Sequence, residues 1–230
     1  MTALESRYES IRERIESAAS RSGRNSSGIT VMAVTKTRPV VELEDAWAAG
    51  ICLFGENRVQ EAAEKIAAWP SQKVAEWRLI GHLQRNKARK AVTLFSRIES
   101  LDRLELALEL QRILEEKGER KETLVEVNTS GEASKHGVPP EGLEALLEQV
   151  LRTCPRLTVK GLMTIGPLGE NLAETARAFA LLRELRDRNA SNLGTDLPEL
   201  SMGMSDDFEV AIEQGSTCVR LGRALFGPRE

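Results

Sequence analysis

An amine, an arginine, glycines and serine hydroxyls recur in this chain at places where they could together hold a phosphorylated carbonyl compound. Lys36 closes the apolar run Ile29-Thr30-Val31-Met32-Ala33-Val34-Thr35-Lys36, which stops at Thr37-Arg38-Pro39. An ammonium at such a strand end is either an anion ligand or an amine tuned to form a Schiff base. Late in the chain, Ser201-Met202-Gly203-Met204-Ser205-Asp206-Asp207 joins a glycine, which lets backbone approach an anion, to hydroxyls that donate to it. Gly222-Arg223 offers a second set of backbone N–H donors. Arg220 stands two residues before Gly222 and therefore shares its strand face. An arginine directed into a core needs an acceptor, either a carboxylate such as Glu199 or a ring nitrogen on a ligand.

These residues can meet only if the elements carrying them converge. The chain opens with a helical pattern over Leu4–Ser20, with Leu4, Tyr8, Ile11 and Ile15 on one face. Short apolar segments follow at Thr30–Lys36, Cys52–Gly55, Trp77–Gly81, Arg97–Leu101, Thr123–Asn128, Thr158–Ile165, Glu199–Gly203 and Cys218–Gly222. Amphipathic stretches between them predict helices over Val41–Ala49, Arg58–Ala68, Leu101–Lys117, Pro140–Arg152, Leu172–Asn189 and Asp207–Gln214, with Asp102 and Asp206 at N-cap positions. Strands alternating with helices predict a parallel sheet covered on both faces. Eight such units predict a single (β/α)8 TIM-type barrel with an extra N-terminal helix, residues 1–230 forming one domain. A doubly wound sheet is disfavoured because the first strand runs into Lys-Thr-Arg-Pro rather than a glycine-rich phosphate turn.

In a barrel the C-terminal strand ends form the active mouth. Read together, these ends supply Lys36 and Thr37, then Glu56-Asn57-Arg58, then His82 and Gln84, then Asn128, Met163-Thr164, the serine–glycine loop, and Arg220 to Arg223. The loops after the last two strands are where barrels commonly cradle phosphate.

The 230 residues carry 29% charged and 41% hydrophobic side chains with a net charge of -3, an ordinary globular composition that argues against nucleic acid as a partner. The basic run Arg85-Asn86-Lys87-Ala88-Arg89-Lys90 reads as a solvated helix face. Nothing in the sequence is apolar enough over 18 residues to span a membrane, and the first residues do not read as a signal peptide, which predicts a cytoplasmic protein. Three distant cysteines, Cys52, Cys154 and Cys218, argue against disulfides and zinc, with Cys52 and Cys218 expected as buried thiols. Two histidines, His82 and His136, are too few for a His-based metal site without other support, so no metal is expected.

Several ordered motifs resemble the YggS/PROSC family of pyridoxal 5'-phosphate (PLP) homeostasis proteins. They are Ala33 to Thr37, Phe54-Gly55-Glu56-Asn57-Arg58-Val59-Gln60-Glu61, Ile80-Gly81-His82-Leu83-Gln84-Arg85-Asn86-Lys87, Val127-Asn128 through Lys135-His136-Gly137, Gly161-Leu162-Met163-Thr164, Leu200 to Ser205, and Arg220 to Gly227. The resemblance spans nearly the whole chain and implies a barrel like the N-terminal domain of alanine racemase. It implies PLP held as an aldimine on Lys36, with phosphate on Ser201, Ser205, Gly222 and Arg223. It places Asn57 and Met204 in the pocket wall and Arg220 at the pyridine nitrogen. Lys135 falls on a second motif lysine of the family. Arg78 and Arg58 stand where the family often has histidine and tyrosine, departures expected at the pocket rim.

The function so implied is PLP binding and delivery, with PLP-dependent apo-enzymes as recipients, a monomeric state and no catalytic residues. The alternative is a PLP-dependent amino-acid racemase. Two-base racemisation needs a second acid/base group opposite the lysine, and the one tyrosine, Tyr8, lies in the opening helix. A charged arginine at the ring nitrogen also weakens PLP as an electron sink. A Schiff-base aldolase fits less well, since barrel aldolases generally carry their lysine on a late strand.

Overall fold

The structure, a computed structural model, describes residues 2–167 and 171–228. Its strands are β1 (Thr30–Val34), β2 (Leu53–Glu56), β3 (Glu76–Leu79), β4 (Arg97–Leu101), β5 (Lys121–Glu126), β6 (Leu157–Met163), β7 (Glu199–Ser201) and β8 (Cys218–Leu221). They pair in parallel in sequence order, and β8 closes back on β1 through Thr30–Cys218, Met32–Arg220 and their neighbours. The helices are α1 (Ala3–Arg21), α2 (Val40–Ala48), α3 (Val59–Ala68), α4 (Ala88–Leu94), α5 (Leu104–Lys117), α6 (Leu143–Thr153), α7 (Leu172–Leu193), α8 (Phe208–Glu213) and α9 (Arg223–Phe226). The TIM-type barrel with an extra N-terminal helix is therefore the observed fold.

Helix α1 precedes the first strand and packs on the outer layer, against α8 and α9. Leu4, Ile11, Ile15, Ala18 and Ala19 form its buried face. Thr2 and Glu5 exchange bonds in a capping box, which stabilises the helix start by about 1 kcal/mol. Polar contacts fix its orientation: Arg14 pairs with Glu209 at 2.7 Å, Arg21 with Glu213 at 2.7 Å, and Arg7 Nε donates to the Leu225 carbonyl at 2.7 Å.

The principal core lies between strands and helices, where Phe54, Phe95, Phe179, Phe208 and many leucines are fully buried. Each such side chain contributes about 1.5–3 kcal/mol relative to exposure. Inside the barrel a smaller cluster, Met32, Leu53, Ile80 and Cys218, fills the space beneath the mouth. Gly55 makes room for it, because a Cβ there would sit 2.5 Å from Met32 Sδ.

Local details depart from the sequence reading. Strands β1, β3, β5, β6, β7 and β8 stop one or two residues early and β2 ends one residue late, so most of the polar residues expected at strand ends lie in loops. Asp102 and Asp206 are not N-caps, since α5 and α8 begin one residue later than that reading allows, with Arg103 and Asp207 at the cap positions. Asp102 instead takes His82 and Arg103, and Asp206 takes Arg223. Cys218 is buried but Cys52 is exposed, because β2 begins one residue after it. The basic run lies on a 3-10 turn and α4, with its charged side chains exposed as expected.

Candidate cofactor pocket at the barrel mouth

A cavity of about 470 Å³ opens at the C-terminal ends of the strands, a volume in the range of small-molecule sites. Lys36, Asn57, Met204, Ser205, Arg220, Gly222 and Arg223 all line it. Val34, Ile80, Ile165 and Pro228 supply apolar walls, and Arg38 and Asp206 add charge at its edge. Residues at or just beyond the ends of β1, β2, β7 and β8 thus meet in one space although they are separated by up to about 190 positions.

The backbone around Lys36 is held from both sides. Lys65, buried on α3, donates to the Thr35 carbonyl at 2.5 Å, to Glu56 Oε1 at 2.6 Å and to Glu61 Oε1 at 2.7 Å. The Thr35 hydroxyl donates to the same Glu56 oxygen at 2.6 Å, and Glu61 Oε1 accepts from the Thr37 N–H at 2.5 Å. Thr37 has φ 62°, the one non-glycine residue in the left-handed region among the described residues. That conformation costs energy for a β-branched residue and persists only where neighbours enforce it. Burial holds the Glu56 carboxyl above its ordinary pKa. Burial also raises Glu61, but the bonds from Lys65 and the Thr37 N–H outweigh it and leave the group below its ordinary value. Sequence reasoning reached Glu56 as a strand-end residue and Glu61 only as a motif member, and missed Lys65. Its signal is faint: a lysine on the otherwise apolar face of a helix, four residues after an acid.

Arg220 is buried, and its guanidinium donates to Ser201 Oγ at 2.9 Å and to the Thr164 carbonyl at 2.7 Å. Ser201 Oγ in turn donates to Glu99 at 2.7 Å, and Glu99 accepts from Arg78 at 3.2 Å. A polar chain therefore crosses the barrel interior from the pocket floor. Three expectations are corrected here. Ser201 is fully buried beneath the pocket with its hydroxyl held between Arg220 and Glu99, and it is absent from the cavity lining. Arg78 is an interior residue of this chain and not a rim residue; Arg58 is exposed. Glu199 is not the partner of Arg220, because Arg97 engages it.

The loop after β7 bends against α8 at Gly203, where φ is 97° and a Cβ would lie 2.5 Å from the Ala211 Cβ. Glycine is required there. The Met204 N–H donates to Asp207 Oδ1 at 2.5 Å. Ser205 Oγ accepts from the Ala224 N–H at 3.1 Å, which ties this loop to the first turn of α9, beside Gly222 and Arg223. Asn128 and Lys135 stay outside the cavity. Asn128 stabilises its own turn by accepting from the Gly131 N–H, and Lys135 bonds the Gly166 carbonyl and Glu132. Arg38, missed by the sequence reading although it follows Lys36 closely, reaches Glu42 and the Gly227 carbonyl.

Glu126 is buried on β5, and burial with the nearby Asp102 charge pushes its carboxyl from 4.5 to about 7, against an opposing pull from Arg220. Folding thus raises this pKa, and the unfolded chain releases the proton first as pH rises. Stability contributed by the protonated group is complete below 4.5 and is lost up to about pH 7. Glu126→Gln is expected to remove up to about 1.4 kcal/mol per pH unit of this slope. Tm measured from pH 4.5 to 8 should fall less steeply for the variant than for the parent.

The donor set fits a phosphorylated aldehyde. A primary amine, a buried guanidinium and two anion-facing loops share one cavity, and the Asn57 amide oxygen is buried there without a hydrogen-bond partner, ready for a ligand donor. Among the described residues the three-residue cluster His82, Asp102 and His136 is the one group with metal-ligand spacing, and it lies outside this cavity.

Comparison with known proteins agrees with this geometry. The family described as alanine racemase, N-terminal domain, matches residues 7–230. The pyridoxal phosphate homeostasis protein of Aquifex aeolicus is 42% identical over 230 residues, covering all of both chains. The structure of PipY from Synechococcus elongatus with PLP bound has a TM-score of 0.81 at 38% identity, covering 93% of this chain and all of that one. The alanine racemase of Corynebacterium glutamicum, 19% identical with a TM-score of 0.69 over 94% of this chain and 60% of its own, shares the fold alone. With this identity sustained from end to end, the chain belongs to the pyridoxal phosphate homeostasis protein family, built on the alanine racemase N-terminal barrel.

Proposed function

We propose that this protein binds PLP on Lys36 and serves intracellular PLP homeostasis by holding and delivering the cofactor, without substantial catalysis of its own. The observation that carries this reading is the meeting of Lys36, Arg220, Ser205, Gly222 and Arg223 in one cavity of about 470 Å³. When bound, PLP supplies an aldehyde that condenses reversibly with a primary amine, and a phosphate that takes hydrogen bonds. Lys36 offers the amine, on a backbone fixed by Lys65, Glu56 and Glu61. Ser205 and the backbone at Gly222 and Arg223 would hold the phosphate, and Ser201 acts one step removed by orienting Arg220. The Arg220 guanidinium would face the ring nitrogen and disfavour its protonation. Asn57 and Met204 close the wall.

Residues 1–230 act as one PLP-binding domain, a monomer in the cytoplasm, with PLP-dependent apo-enzymes as recipients. The free thiols of Cys52, Cys154 and Cys218 suit a reducing compartment. No helix among the described residues is long and apolar enough to cross a membrane. The exposed large apolar side chains, such as Val41, Val74 and Leu108, are scattered over separate elements.

The test is to load the protein with PLP, mix it with a PLP-dependent apo-enzyme, and follow recovery of that enzyme's activity. Transfer is expected, together with no exchange of amino-acid α-protons for solvent deuterium by the loaded protein alone. Sustained exchange would favour the racemase reading instead.

A further inference from the structure

We propose that His82, Asp102 and His136 form a binding site for one divalent transition-metal ion of the zinc class, at the barrel rim and outside the cofactor pocket. The three residues come from the loops after β3, β4 and β5, and one ligand atom from each lies within 4.8 Å of the others. His82 Nδ1 and Asp102 Oδ2 are 3.1 Å apart. Metal bonds of about 2.0–2.2 Å at tetrahedral or octahedral angles set neighbouring donors about 2.9–3.5 Å apart, so this edge already has ligand spacing.

The third ligand distinguishes the cluster from an ordinary histidine–aspartate pair. The His136 ring stacks on His82, with centroids 4.1 Å apart and planes 16° from parallel. Among the described residues no hydrogen bond engages the His136 ring; its contact is that stack. Two imidazoles face to face beside a carboxylate offer two ring nitrogens and an oxygen to one cation. Both rings are exposed, so turning them to converge on an ion meets little packing resistance. Asp102 is held by Arg103 through its other oxygen, which leaves Oδ2 directed at the histidines. Two nitrogens and one oxygen suit zinc, cobalt or nickel over magnesium or calcium, with water completing the coordination. A bound ion would fasten the segment 129–137, which carries His136 and Lys135, to the ends of β3 and β4.

The full-length chain, stripped with chelator, is dialysed to equilibrium against Zn2+ and then titrated with Co2+ as a spectroscopic probe. One Zn2+ per chain and a Co2+ d–d band are expected. Losing an outer partner of a metal ligand commonly weakens binding 10–100-fold, so His136→Ala, His136→Gln and His82→Ala should each weaken it by at least about tenfold. Cys52→Ser, which removes the exposed thiol, should leave it unchanged. Folding of every variant is checked by circular dichroism, and the surface position of His136 makes its variants the decisive ones. Absence of stoichiometric uptake, or uptake by both His136 variants equal to that of the parent, would overturn the site.

Discussion

Lys36→Ala and Lys36→Arg are both expected to abolish the covalent, borohydride-reducible attachment of PLP and to weaken binding by about 100-fold or more, equivalent to about 2.7 kcal/mol. The pair of substitutions separates the chemical roles open to a strand-end lysine. If Lys36 were an anion ligand, arginine would preserve the charge and most of the affinity. If it is the condensing amine, arginine fails as completely as alanine, because a guanidinium does not condense with an aldehyde under these conditions. The proposed phosphate contacts at Ser205, Gly222 and Arg223 would remain in both variants, so weak reversible binding should persist and be measurable by fluorescence. The spectra give the clearest reading, since the absorbance band of the linked cofactor should be missing in both.

Lys65→Met should cost about 3–5 kcal/mol, the range for breaking a buried ion pair by removing one partner. Lys65 and Glu56 have 8% and 0% side-chain exposure, so solvent cannot replace the lost ammonium. For a chain of this size such a loss lowers Tm by about 6–15 °C. The pH dependence gives the mechanism away. Without Lys65, the Glu56 carboxyl, already raised by burial, should become harder still to ionise. The deficit should then shrink as pH falls and the group gains its proton, and be greater at pH 8 than at pH 5. Adding Glu56→Gln to Lys65→Met should recover part of the loss at pH 8. PLP affinity should fall as well, because the same ammonium fixes the Thr35 carbonyl next to Lys36.

The fold and the location of the site were legible in the sequence because both rest on local signals. Apolar segments at β1 to β8 alternate with amphipathic stretches, and polar residues at their C-terminal ends point to the mouth of any barrel. Lys36, Asn57, Met204, Ser205, Arg220, Gly222 and Arg223 could be grouped by that rule alone, and they share one cavity. What the sequence concealed is the pairing across the interior. Whether Arg220 meets Glu199, or Glu99 through Ser201, depends on the depth at which each strand presents its side chain. Register shifts between β4 and β5 and between β5 and β6 alter those depths without any mark in residue spacing. Lys65 was hidden for a similar reason: its partners Thr35, just after β1, and Glu56, on β2, meet only once these two strands pair. Ser201 illustrates the opposite case, a residue correctly placed at a strand end whose hydroxyl turns down into the polar chain instead of up into the cavity.

The most direct test of the account is to incubate the purified chain with PLP, reduce it with borohydride, digest it and map the modified peptide. One pyridoxyl group on Lys36, within the peptide that follows Val34-Thr35, is the predicted result. Modification at Lys65, Lys135 or another lysine in place of Lys36, or no modification at all, would contradict it.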